Sequence, residues 1–151
     1  MKDLLIGFII ALVLGSICND WQHSQNSTSQ NNEAAPAANI GSEAPLKSAD
    51  QSNFQAEVLE QSQPVLVDFY TQNCPHCKKM APMLSQLALQ CSGNLKIVQV
   101  DIMENPAISH KYDIGGVPSF ILFDHGKVLT SFMGEMPKNK LLDNLRAYIS
   151  I

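Results

Sequence analysis

The sequence predicts an α/β fold, a central mixed sheet of four to five strands flanked by helices on both faces. Three observations lead there. Short apolar runs of strand character alternate with segments of helical spacing, which implies parallel strands covered on both sides. Late in the chain two apolar runs meet at a tight turn, which adds an antiparallel portion. The 151 residues suit one domain, with length left over for a tail.

The tail comes first. After Met1-Lys2-Asp3 the run "LLIGFIIALVLGSIC" carries no charge from Leu4 to Cys18. It matches a signal-peptide core and is somewhat short for a membrane span of about 20 residues. Three fates fit residues 1–18: cleavage near Gly15 and Ser16, retention as a membrane anchor, or lipidation at Cys18. Bulky Ile17 disfavours the last. Each places the remainder in an exported compartment where disulfides persist. Residues 19–44, "NDWQHSQNSTSQNNEAAPAANIGSEA", are rich in Asn, Gln, Ser and Ala. They are too polar to offset their ordering entropy and read as a disordered linker. Such a linker would span roughly 28 Å root-mean-square, a reach that suits a domain working at a distance from a tethered segment. Asn26 opens a glycosylation sequon, relevant only to a eukaryotic secretory route.

The domain is expected over residues 45–151. Asp50 to Gln61 reads as a helix with Phe54, Val58 and Leu59 on one face. "PVLVDFY", Pro64 to Tyr70, is a strand. Cys74 to Cys91 is a helix carrying Met80, Leu84, Leu87 and Leu89, with Pro82 predicting a kink. "LKIVQVDI", Leu95 to Ile102, is a second strand, and Pro106 to Tyr112 a short helix. Ser119 to Gly134 is a hairpin turning at His125-Gly126. Lys138 to Ile149 closes as a helix with Leu141, Leu142, Leu145 and Ile149 on one face.

Charge narrows the function. A formal net charge of −4 offers no basic stripe for phosphates, so nucleic acid is not expected as a partner. Four cysteines are too few for a disulfide scaffold and are read one by one. In "FYTQNCPHCKKMAP" a Cys-x-x-Cys follows a buried strand and opens a helix. Pro75 suits the first helical turn, where its missing N–H costs nothing. Cys74 then stands at the helix N-terminus, where unpaired N–H groups and the macrodipole stabilise a thiolate. Cys77, one turn on, shares its face and can close a disulfide. Cys74 is thus the exposed attacking nucleophile and Cys77 the resolving thiol. Cys91 lies roughly 25 Å along an unbroken helix from Cys74, beyond the ~7 Å limit for a disulfide. It is expected as a partly buried thiol at the helix end, with intermolecular pairing a lesser alternative.

Asp68 interrupts a strand otherwise suited to burial on both faces. A carboxylate there costs several kcal/mol unless protonated or paired, so its pKa is expected to be raised. An edge strand with Asp68 turned to solvent is the alternative.

Together "VDFYTQNCPHCKKMAP", "VDIMENP", "YDIGGVPSFILFDHGKV" and "MGEMPKNKLLDNL" resemble thioredoxin in order and spacing, over roughly residues 44–151. The resemblance implies the thioredoxin fold, an enzyme exchanging disulfides with protein thiols, and no cofactor. It implies a cis-proline beside the disulfide at Pro118, and a buried aspartate at Asp68 beneath Cys77 that shuttles its proton. A substrate groove would involve Asn73, Cys74, Val117, Pro118 and Gly134. Partners would be cysteine-containing exported proteins and a redox partner that recharges the disulfide, with residues 4–18 as a possible tether. The departures are specific. Asn73 and Tyr70 stand where the family has tryptophans, leaving Trp21 as the only one, and Gln99 replaces a lysine near the aspartate. Pro75-His76 is the dipeptide of the periplasmic disulfide-donor oxidases, whose large helical insertion has no counterpart here. His76 is expected to stabilise the Cys74 thiolate, with Lys78 and Lys79 adding weakly or standing as a plain solvent face. A periplasmic, oxidising enzyme, soluble or tethered to the inner membrane, is therefore expected. Two other readings remain open: a zinc or copper module using Cys74, His76 and Cys77, and a chaperone using the fold as a binding surface.

Overall fold

The computed structural model describes residues 46–151. The segment read as signal or anchor, the polar linker, Cys18, Trp21 and Asn26 lie outside the described residues. The chain divides into two units at Glu43/Ala44, and every strand and helix of the described residues lies in the second.

Five strands form one sheet: β1 (Lys47–Ser48), β2 (Val65–Tyr70), β3 (Lys96–Asp101), β4 (Ser119–Asp124) and β5 (Lys127–Met133). Their spatial order is β1-β3-β2-β4-β5. β3 runs parallel to both β1 and β2, while β4 is antiparallel to β2 and β5. The mixed sheet expected from the alternating pattern is thus formed, with β1 as an edge strand too short to be legible. The helices are α1 (Pro75–Gln90), α2 (Pro106–Lys111) and α3 (Lys138–Arg146).

Side chains alternate across the sheet, and the alternation sorts the core. Val65, Val67, Phe69, Val98, Val100, Ile121 and Phe123 share one face and pack with Phe54, Val58 and Ile108. Tyr112 completes this layer, its ring 5.2 Å from Phe123 and 5.6 Å from Phe54. On the opposite face stand Leu66, Asp68, Ile97, Phe120 and Leu122, all buried. The buried residues of α1 (Met80, Leu84, Leu87) and α3 (Leu141, Leu145) lie outside the first cluster. Helix α1 contacts β3, and Lys138 Nζ at the start of α3 donates to Gln90 Oε1 at the end of α1. The two long helices cover the second face.

Three expectations need correction. The first helical segment is not a helix over Asp50–Gln61 but a short π-helical stretch, Gln55–Leu59. Asp50 caps the segment: Asp50 Oδ1 accepts from the backbone of Ser52 and Asn53, while Asn53 Oδ1 accepts from Asp50 N–H, a reciprocal cap. The departure comes after it, where Glu60 N–H passes over Ala56 to reach Gln55 O, a π-helical bond. Phe54 and Val58 are buried as expected, but Leu59 only partly. In α1, Leu89 is 51% exposed, because it falls two residues past Leu87 and so on the far side of the helix. The last helix stops at Arg146 rather than Ile149, although Ile149 N–H still reaches Leu145 O.

The hairpin turns at His125-Gly126 as expected, with φ of 47° and 75°. Both central residues are left-handed, as a two-residue primed turn requires. A Cβ at Gly126 would lie 2.8 Å from Leu59 O, so this turn needs glycine both for its backbone angle and for space.

Candidate active site

Strand β2 delivers the chain to the site, and α1 begins there. Cys74 is the N-cap of α1 with Pro75 in its first turn, and Cys74 Sγ accepts from the backbone N–H of Cys77 at 3.1 Å. The two cysteines form a disulfide, with Cα atoms 5.3 Å apart. Cys74 is 8% and Cys77 4% exposed, so the expected contrast between an open and a hidden sulfur is small. Facing the pair is the Val117-Pro118 peptide, which is cis. Val117 O lies 3.9 Å from Cys74 Sγ, and Pro118 O accepts from Gly134 N–H at 2.8 Å. The resemblance alone had implied that cis bond.

Asp68 is 1% exposed. It lies in a central strand, between Gln99 of β3 and Phe120 of β4, which disposes of the edge-strand alternative. Its side chain is on the face covered by α1, the helix that carries Cys77. Gln99 Nε2 donates to Asp68 Oδ2 at 3.0 Å, and Oδ1 has no hydrogen-bond partner among the described residues. Burial pushes the Asp68 pKa up to about 6, and the Gln99 bond offsets only part of that rise. The neutral amide thus occupies the place where a lysine would have held the carboxylate charged.

A cavity of about 600 Å³ opens beside the disulfide, lined by His76, Val117, Pro118, Gly134, Glu135, Met136 and Pro137. Val117, Pro118 and Gly134 are brought together here as expected. Asn73 and Cys74 are not among its lining residues; Asn73 is exposed in the turn before α1. The His76 ring is turned to the loop after β5, where its Nδ1 lies 2.5 Å from Glu135 Oε2. Lys79 Nζ lies 3.7 Å from the same oxygen. The His76 bond holds the Glu135 carboxyl below its usual range, and the Lys79 charge adds to the effect. Nothing local in the sequence ties Glu135 to a helix so far upstream.

Cys91 caps the far end of α1 and is 1% exposed, more deeply buried than expected and remote from the disulfide. Among the described residues no group of three or more His, Cys, Asp or Glu is placed to hold a metal ion, and both motif sulfurs are committed to each other. The metal-module reading has no support from this site.

The thioredoxin family model matches residues 45–147. This chain belongs to the thioredoxin family. It is 38% identical over 98 residues to thioredoxin C-2 of Corynebacterium nephridii, covering 65% of this chain and 91% of that protein. Thioredoxin 1 of Synechococcus elongatus is 36% identical over 98 residues, 65% of this chain and 92% of its own. The thioredoxin of Rickettsia felis is 38% identical over 92 residues, 61% and 88% respectively. The protein is accordingly a thiol–disulfide oxidoreductase whose redox-active pair is Cys74–Cys77.

Proposed function

We propose that this thioredoxin-family protein exchanges disulfides with cysteines of exported proteins, and that its couple is more oxidising than that of an ordinary thioredoxin. The observation that carries the reading is Cys74 Sγ at the mouth of α1, accepting the Cys77 N–H at 3.1 Å. That donor and the helix N-terminus favour a thiolate on Cys74 once the pair is reduced. His76 in the first turn, when protonated, adds a donor and a positive charge. Stabilising the reduced form raises the potential, by about 30 mV for each tenfold change in the exchange equilibrium.

In the oxidising direction a substrate thiolate attacks Cys74 Sγ, and the Cys74–Cys77 bond breaks with its electron pair on Cys77. The Asp68 carboxyl supplies the proton that Cys77 takes up. A second substrate thiolate then attacks the substrate sulfur of the mixed disulfide and expels Cys74 as a thiolate. Two electrons have passed to the protein, and the substrate holds a new disulfide. Reversal, with Asp68 as the base that activates Cys77, reduces a substrate. The substrate chain lies along Val117, cis-Pro118 and Gly134, with Asn73 at the near edge of the motif.

Export rests on the uncharged run Leu4–Cys18 and the polar stretch after it, which together suit a periplasmic domain, soluble or held to the inner membrane. A separate redox partner recharges the pair. The test is the equilibrium of the full chain against glutathione, with His76→Pro alongside. The variant is expected to be more reducing by at least about tenfold; a variant equal to the parent, or more oxidising, overturns the account. Insulin reduction by the reduced protein and refolding of a reduced substrate by the oxidised protein then measure the two directions separately.

A further inference from the structure

The groove beside the disulfide is apolar along Val117, Pro118, Met136 and Pro137 and carries two titratable side chains, His76 and Glu135. Glu135 stands in the loop between β5 and α3, yet its Oε2 meets two residues of the first turns of α1: His76 Nδ1 at 2.5 Å and Lys79 Nζ at 3.7 Å. His76 and Lys79 are three residues apart and so share a helix face. One carboxylate thus engages both basic side chains of this face.

We infer that Glu135 is a positioning residue for His76, holding its ring on the groove side and thereby moderating the oxidising character of the Cys74–Cys77 pair. The inference deepens the proposed function and rests on the role given there to His76. Its chemistry lies in the two ring nitrogens. A carboxylate against Nδ1 keeps a proton on that atom, as in the pairs that orient metal-bound histidines. The neutral ring then offers Nε2 as a lone pair, an acceptor that has nothing to give a thiolate. The protonated ring shares its charge between Glu135 and Cys74. The negative carboxylate itself also disfavours a nearby thiolate. A carboxylate also makes an imidazole partner easier to protonate, but the charge so gained is matched by its own negative charge, and the ion pair is net neutral towards Cys74. With Glu135 present, the reduced form thus gains less from His76 than the Pro-His dipeptide alone would provide. Because the side chains of His76 and Glu135 are 59% and 39% exposed, solvent screening keeps the effect modest.

The experiment is the glutathione equilibrium of the full chain as wild type, Glu135→Ala, His76→Ala and the double variant. Glu135→Ala is expected to shift the equilibrium about threefold towards the reduced protein, and by less than half as much when His76 is already alanine. No shift, or a shift towards the disulfide, overturns the inference, and so does an equal shift in both backgrounds, which would be a charge effect independent of His76. If His76→Ala leaves the equilibrium unchanged, the proposed role of His76 fails and the inference with it. If His76→Ala is more reducing while Glu135→Ala is silent, the inference alone fails. Nitrogen NMR of the His76 ring gives the independent readout. The neutral ring is expected to carry its proton on Nδ1 in the wild type and to move it towards Nε2 in Glu135→Ala; an unmoved proton overturns the assignment.

Discussion

Asp68 shows how one residue holds stability and chemistry in opposition. Its native pKa of about 6 lies above the ordinary 3.8, so between those values the folded protein binds more protons than the unfolded chain. Stability therefore falls as pH rises through this window, and the full cost stands above pH 6. For a shift of this size the cost is about 3 kcal/mol. Asp68→Asn is expected to be more stable than the parent at pH 7 by up to that amount, the gain fading by pH 4; denaturant titrations at both values check it. The same variant is expected to slow disulfide exchange and to lose the inflection near pH 6 in its rate profile. Indistinguishable rates from pH 6 to 9 would sink the proton-shuttle role. Gln99→Leu removes the bond that restrains the rise, so it should move the inflection to higher pH. The need for a special environment at Asp68 was legible from a carboxylate set in an apolar strand. That its partner is Gln99 comes from the β2–β3 register, which no local pattern reveals.

Among the elements, α1 and the β4–β5 hairpin carry the site, and both were legible for local reasons. Pro75 suits a first turn, and the 80/84/87 spacing of apolar residues selects the buried face. The helix runs on through Pro82, where the missing N–H leaves the Lys78 carbonyl without its usual donor. His125-Gly126 marks the hairpin turn, but its second constraint, the approach to Leu59 O, belongs to the packing of the π-helical segment against β4. Gly126→Ala is expected to destabilise by at least about 1–2 kcal/mol from its backbone angle, and further from the 2.8 Å contact. Thermal unfolding of the variant measures this, and an unchanged midpoint would contradict it. The first helical segment departs furthest from its sequence pattern. Its apolar positions fit a helix, while the widened bonding from Glu60 N–H to Gln55 O makes it π-helical.

For the whole molecule, the sheet order brings together the end of β2, the start of α1, the cis-proline before β4 and the loop after β5. Among the described residues no helix is long and apolar enough to cross a membrane, so the proposed tether depends on residues 4–18. In a Gram-negative host, a membrane-impermeant maleimide applied to spheroplasts after mild reduction is expected to label Cys74 of the full chain. Labelling only after lysis would overturn the proposed export.

The sequence by itself determined the family, the alternation of strands and helices, the redox pair and the buried acid. These depend on short-range rules: helix capping, side-chain periodicity, and the cost of a charge among apolar neighbours. Tertiary structure alone decided the partners. Gln99 reaches Asp68 only through strand register, and Glu135 reaches His76 only because the loop after β5 is folded against the first turn of α1. Such pairings join residues far apart in the chain, and the free energy that selects them comes from packing the whole domain.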